Sequence, residues 1–103
     1  MGLGFATTEE RTIDAATGMQ LTANMREYKV PRIDDLPEFE VEFVDLVDEE
    51  ANSVGAKGLG EPPIIPTPAA IANAVSDALG VRFVDLPITA DRVLNALSSR
   101  EEA

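Results

Sequence analysis

Three glycines, one carboxylate and two prolines stand together in Gly55-Ala56-Lys57-Gly58-Leu59-Gly60-Glu61-Pro62-Pro63. Glycine at 55, 58 and 60 lets the backbone reach positive φ and lets bare N–H groups approach a ligand where a Cβ would intrude. Glu61 is the opposite case. A residue before proline is steered toward extended backbone, and Pro62 and Pro63 fix the chain after it. The stretch therefore predicts one acid held in a stiff frame beside mobile backbone. A solvated glutamate in a Gly/Pro-rich loop fits the same letters.

The glycines match neither common phosphate cradle. A Walker A loop needs Gly-Lys followed by Ser or Thr, whereas Lys57 precedes Gly58 and Leu59. A dinucleotide fingerprint runs straight into a helix, and here two prolines intervene. The chain has no cysteine and no histidine. That removes disulfides, thiolate and imidazole metal sites, cysteine nucleophiles and serine–histidine triads, and no metal ligand is assigned. Chemistry falls to Glu, Asp, Lys, Tyr or a cofactor.

With 103 residues the chain supplies one modest domain, and its 45% hydrophobic residues permit a core. That core must be aliphatic, with four Phe, one Tyr and no Trp. Against 19 acids stand 8 bases, a net charge of −11 that repels phosphate backbones and anionic lipids. Neither nucleic acid nor membrane is an expected partner. No apolar run approaches membrane-spanning length and no signal-peptide pattern opens the chain, so the expectation is a soluble cytoplasmic protein.

Several elements must position the acid. The opening residues, Gly2 onward, read as the end of a helix lacking an N-cap. Residues 11–14 and 19–22 predict a weak hairpin around a turn ending at Gly18. Glu38, Glu40 and Glu42 alternate with Phe39, Val41 and Phe43, the pattern of a half-buried strand, and the alternation shifts at residues 44–47, where a bulge or strand end is expected. Residues 34–50 hold nine acids and no base: a solvated acidic face or, more sharply, a surface for a basic partner. Thr67-Pro68 predicts an N-cap and first helical position, and Gly80 a stop, giving a helix over 68–79 buried on more than one side. The positive end of its dipole would share a pocket with the loop. Residues 81–84 predict a short strand, and Thr89 caps a helix over 89–98 with Val93, Leu94 and Leu97 as its apolar face. The expected fold class is α+β: a small mixed or antiparallel sheet from strands near 11, 39 and 81, with the two C-terminal helices packed on it.

The loop 55–63, continued by Ile64-Ile65-Pro66-Thr67, Ala69-Ala70-Ile71-Ala72-Asn73-Ala74 and Leu86-Pro87-Ile88-Thr89-Ala90-Asp91-Arg92-Val93-Leu94, resembles the C-terminal end of the molybdenum-binding subunit of the xanthine dehydrogenase and aldehyde oxidase family. The likeness extends more loosely through Gly2-Leu3-Gly4-Phe5-Ala6, Tyr28-Lys29-Val30-Pro31 and Asp35-Leu36-Pro37, so it spans nearly all of residues 1–103. It implies part of a larger molybdopterin-binding domain in a molybdenum hydroxylase that oxidises aldehydes or N-heterocycles. Glu61 matches the catalytic glutamate, implied to act as general base, a role best served by a raised pKa and hence burial. Gly58 and Gly60 are implied to admit cofactor or substrate, and Lys57 to pair with an acid or a cofactor phosphate.

Subunits of that family are several-fold longer and hold the molybdenum cofactor mostly through upstream segments. The resemblance therefore implies a terminal piece: a split subunit, a truncated product or an excised domain. It would need the remainder of the molybdenum subunit as partner, with iron–sulfur clusters and flavin on further domains or subunits, and would be inactive alone. The alternative is a non-catalytic acidic interaction domain or inactive remnant of the family.

Overall fold

The computed structural model of the chain describes residues 1–101, the last by its backbone alone. Four helices and one 3-10 turn follow in order: α1 (Gly2–Thr7), the turn Ile33–Asp35, α2 (Glu61–Ile64), α3 (Thr67–Leu79) and α4 (Ala90–Glu101). The two long helices arise where the sequence places them, within one to three residues at each end. Pro68 sits in the first turn of α3, where its missing N–H costs nothing. Gly80 ends that helix in the left-handed conformation, φ 63°, which glycine adopts without a Cβ penalty. The Gly80 N–H donates to Asp77 O and the Val81 N–H to Ser76 O at 3.2 Å, so the last carbonyls are satisfied.

The expected sheet is absent. Among the described residues the only β pairing is an isolated antiparallel bridge between Ile13 and Gln20. It is held by a tight turn in which Asp14 Oδ1 accepts from the Thr17 N–H and hydroxyl, both at 2.7 Å, and Gly18 takes φ 72°. The hairpin thus shrinks to its turn. Residues 81–84 run back along α3 instead of pairing, with the Phe83 N–H on Ser76 Oγ at 3.0 Å. Residues 38–43 lie outside any strand, and no backbone hydrogen bond within the described chain reaches residues 37–47. The alternation there is real, but a strand needs a second strand, and the described residues offer none. Where the alternation shifts, Asp45 takes φ 49°, which breaks the extended run.

Packing is concentrated at one end. α1 lies against α3, and the approach is so close that a Cβ on Gly2 would fall 2.5 Å from Thr67 Cβ. Gly2, Gly4, Ala6, Pro87 and Ile88 are buried here, with the Ile88 N–H donating to Ala6 O at 2.6 Å. Arg92 ties α4 to this cluster through Pro87 O at 2.7 Å and Glu10 Oε1 at 2.9 Å. Arg100 reaches Leu79 O at 2.7 Å across the end of α3. The expectation that α3 is buried on more than one side is overturned. Pro68, Ile71, Ala72, Val75 and Leu79 form one half-covered stripe, while Ala69, Ala70, Ala74 and Ala78 face outward. On α4, Val93 and Leu97 are half-covered but Leu94 is 61% exposed.

The radius of gyration is 18.3 Å, against about 13 Å for a compact domain of this length. Large apolar side chains remain open along the middle of the chain, each of which would gain about 1.5–3 kcal/mol on full burial. The chain folds locally at one end and leaves its other half without a core.

Candidate functional site

Asn52 organises the approach to the loop. Its Oδ1 accepts from the Val54 and Ala56 N–H groups, both at 3.1 Å, and its Nδ2 donates to Ala56 O at 2.6 Å. The Asp48 N–H donates to Gly55 O at 3.3 Å, closing residues 48–55 into a turn. Gly55 is the glycine this geometry requires: φ is 66°, and a Cβ would strike Val47 Cγ1. Sequence reasoning missed Asn52, although asparagine is the residue type whose side chain closes a turn on the backbone two residues on, here Val54.

Gly58 and Gly60 differ from Gly55. Neither has positive φ, and a Cβ at either would meet nothing within 4 Å. No described residue fills the space at those two positions. Lys57 pairs with an acid, its Nζ 2.9 Å from Asp48 Oδ2, with the two side chains 60% and 36% exposed. Such a pair is worth at most about 1 kcal/mol, so it orients the lysine more than it stabilises the fold. Lys57, Gly58, Leu59 and Pro63 face Phe43, Val44 and Leu46 across an open cleft of about 570 Å³.

Glu61 stands just past that cleft, and its backbone corrects the expectation of an extended residue. It is the first residue of the single helical turn α2, preceded by Gly60 at φ −77°, ψ −70°, and its carbonyl accepts the Ile65 N–H at 3.4 Å. The two prolines account for this: their fixed φ suits a first helical turn, where no N–H is needed. The frame is stiff, as the letters require, but helical. The Glu61 side chain is exposed, and neither ion pair of the described residues includes it. No residue of α3 lines the cleft, and the first turn of α3 lies against Gly2, with Thr67 Oγ1 donating to Pro63 O at 2.9 Å. The expected shared pocket between loop and helix dipole is therefore not formed among the described residues.

Among the described residues no group of three acids could hold a metal ion, so these residues by themselves form no metal site; Gly58 and Gly60 face open space, and Lys57 is paired with Asp48. No described helix is long and apolar enough to cross a membrane.

No protein-family model matches the chain. Individual relatives do. It is 47% identical over 93 residues to the xanthine dehydrogenase molybdenum-binding subunit of Escherichia coli O157:H7, covering 90% of this chain and 12% of that subunit. It is 42% identical over 97 residues to the aldehyde oxidoreductase molybdenum-binding subunit PaoC of Escherichia coli K12, covering 94% of this chain and 13% of PaoC. The nicotine 6-hydroxylase large subunit of Paenarthrobacter nicotinovorans is 35% identical over 98 residues, with 92% and 12% covered. These relatives are molybdenum-binding or large subunits of oxidoreductases. This chain is homologous to a C-terminal segment of the xanthine dehydrogenase and aldehyde oxidoreductase family, about one eighth of the length of the relatives it matches.

Proposed function

We propose that this chain is the carboxylate-bearing segment of a molybdenum hydroxylase that oxidises aldehydes or N-heterocycles, and that Glu61 is its general base. The observation that carries the reading is the condition of Glu61. It is a lone exposed carboxylate on a proline-stiffened turn, outside both described ion pairs, beside two glycines whose outer faces are empty. Such a carboxylate is free to take a proton from a group delivered by another surface. Gly58 and Gly60 leave room for that surface, and Lys57, held by Asp48, supplies the one cation nearby in sequence.

The molybdenum cofactor, which supplies the redox chemistry when bound, is carried on this reading by the rest of a molybdenum-binding subunit, with iron–sulfur clusters and flavin on further partners. What this chain does is present the base, and docking supplies the burial that makes a carboxylate an effective proton acceptor near neutral pH. The isolated 103 residues neither hold the cofactor nor turn over substrate. In an assembled enzyme, Glu61→Gln keeps the shape and removes the proton acceptor, so kcat should fall by roughly 10²–10⁴-fold while assembly is unchanged. Undiminished turnover in that variant would remove the catalytic assignment.

A second reading is favoured by the open acidic run at residues 34–50: an acidic interaction domain with no catalytic role. It requires binding that weakens steeply with salt and is indifferent to Glu61.

A further inference from the structure

The run that ends at the Asn52 turn carries unpaired backbone which the reading of Glu61 leaves unused. From residue 37 to residue 47 no backbone N–H or C=O has a backbone partner among the described residues. Along the same run Phe39, Val41 and Phe43 are 66%, 72% and 69% exposed, alternating with Glu38, Glu40 and Glu42. Drawn out as a strand, this alternation would put the apolar residues on one side and the glutamates on the other, and no backbone bond among the described residues closes either edge. Unpaired backbone and strict alternation are independent properties, and both specify the same complement: the free edge of a sheet with an apolar inner face.

We propose that residues 38–44 add as an edge strand to an open sheet in the rest of a molybdenum-binding subunit, with Phe39, Val41 and Phe43 against that subunit's core and the glutamates in solvent. This rests on the reading that the chain completes such a subunit, of which its relatives carry about seven eighths outside the matched segment. A second copy of this chain is a poor occupant. Pairing like with like would bring two rows of glutamates onto one face in a chain of net charge −11, and like charges opposed across strands are destabilising. The strand also has a positional consequence. Asp45 ends it at φ 49°, and Asp48 then binds both Gly55 O and Lys57 Nζ. Seating the strand therefore places the Asn52 turn, the glycines and Glu61 after it.

The test uses the full chain and, as probe, the Escherichia coli O157:H7 xanthine dehydrogenase molybdenum-binding subunit with its matched 93 residues removed, prepared so that its own segment rebinds in trans. Amides of residues 38–44 should exchange freely in the isolated monomer and become protected on binding. Consecutive N–H groups of a strand point to opposite edges, so Val41→Pro and Glu42→Pro each block one edge, and neither removes a backbone bond from the free chain. One of the two should weaken binding roughly 10- to 100-fold, while Glu61→Gln binds like wild type and loses turnover. If both proline variants bind like wild type, or residues 38–44 stay unprotected in the complex, the strand proposal fails and the completion reading stands. If the isolated chain is a dimer protected at 38–44, the second copy is the occupant and the proposal fails. If the subunit's own segment rebinds and this chain does not, both readings fall.

Discussion

The two halves of this chain solve the burial of apolar side chains in opposite ways. Around α1, α3 and residues 87–88, small residues let elements close directly on one another: Gly2 against Thr67, Ala6 under Ile88. Between residues 36 and 60 the side chains are larger, yet almost none is covered. The difference lies in backbone pairing. A helix satisfies its own N–H and C=O groups, so a helix end needs only a neighbour for its stripe; an extended ribbon needs a second ribbon before it can bury anything. The first half is therefore stable on local terms, and the second waits for a partner.

The largest expected effect lies in the second half and is chemical. Glu61→Gln should cost roughly 10²–10⁴-fold in kcat of the assembled enzyme and leave the melting of the isolated chain unmoved, since the side chain is exposed and outside both ion pairs. In the first half the largest effect is on stability. Ile88→Ala should cost about 2–4 kcal/mol in urea unfolding, because Ile88 is one of the few buried apolar residues. Phe39→Ser removes a larger side chain and should change the isolated chain by less than about 0.5 kcal/mol. A similar cost for the two substitutions would erase the contrast between the halves.

A smaller effect is expected at Gly80, where the left-handed C-terminal cap of α3 makes alanine unfavourable by about 1 kcal/mol, read from the same unfolding curves. The smallest concerns protons. The hydrogen bond to Glu9, with lesser contributions from desolvation and from the charge of that carboxylate, raises the pKa of Tyr28 above its ordinary 10.0. A raised folded-state pKa means that the contribution to stability is fully present below the unfolded value and is lost as pH climbs through the folded one. Tyr28 is the single tyrosine, so its ultraviolet titration should show a midpoint above 10.0 that drops in Glu9→Gln. An unchanged midpoint would mean that Glu9 does not reach the phenol in solution.

The two long helices were legible because their signals are local: Pro68 and Gly80 bracket α3, and Asp91 suits the first turn of α4, which runs three residues past the expected end at 98. The sheet was misread because the alternation at 38–43 records how a segment is meant to be covered and not by what. The pairing strand is not among the described residues of this chain. At Glu61 the pre-proline rule yielded to the next two residues, whose fixed φ suits a first helical turn. Residue type alone does not choose between an acid and a phosphate for Lys57; in the fold Asp48 takes it. Asn52 carries only a turn residue's type as its signal, and in a polar run that does not separate a structural asparagine from a solvated one. The chemistry of the loop was read from residue types, whereas its geometry depends on a turn and a ribbon whose pairing lies elsewhere.

The most direct measurement is the mass and molybdenum content of the complex obtained by purifying the tagged chain from its native source at low salt. The expected result is a much larger polypeptide at one-to-one stoichiometry, carrying molybdenum and oxidising an aldehyde or purine. A monodisperse, metal-free species of 11.0 kDa, with no partner at any salt concentration, would contradict it.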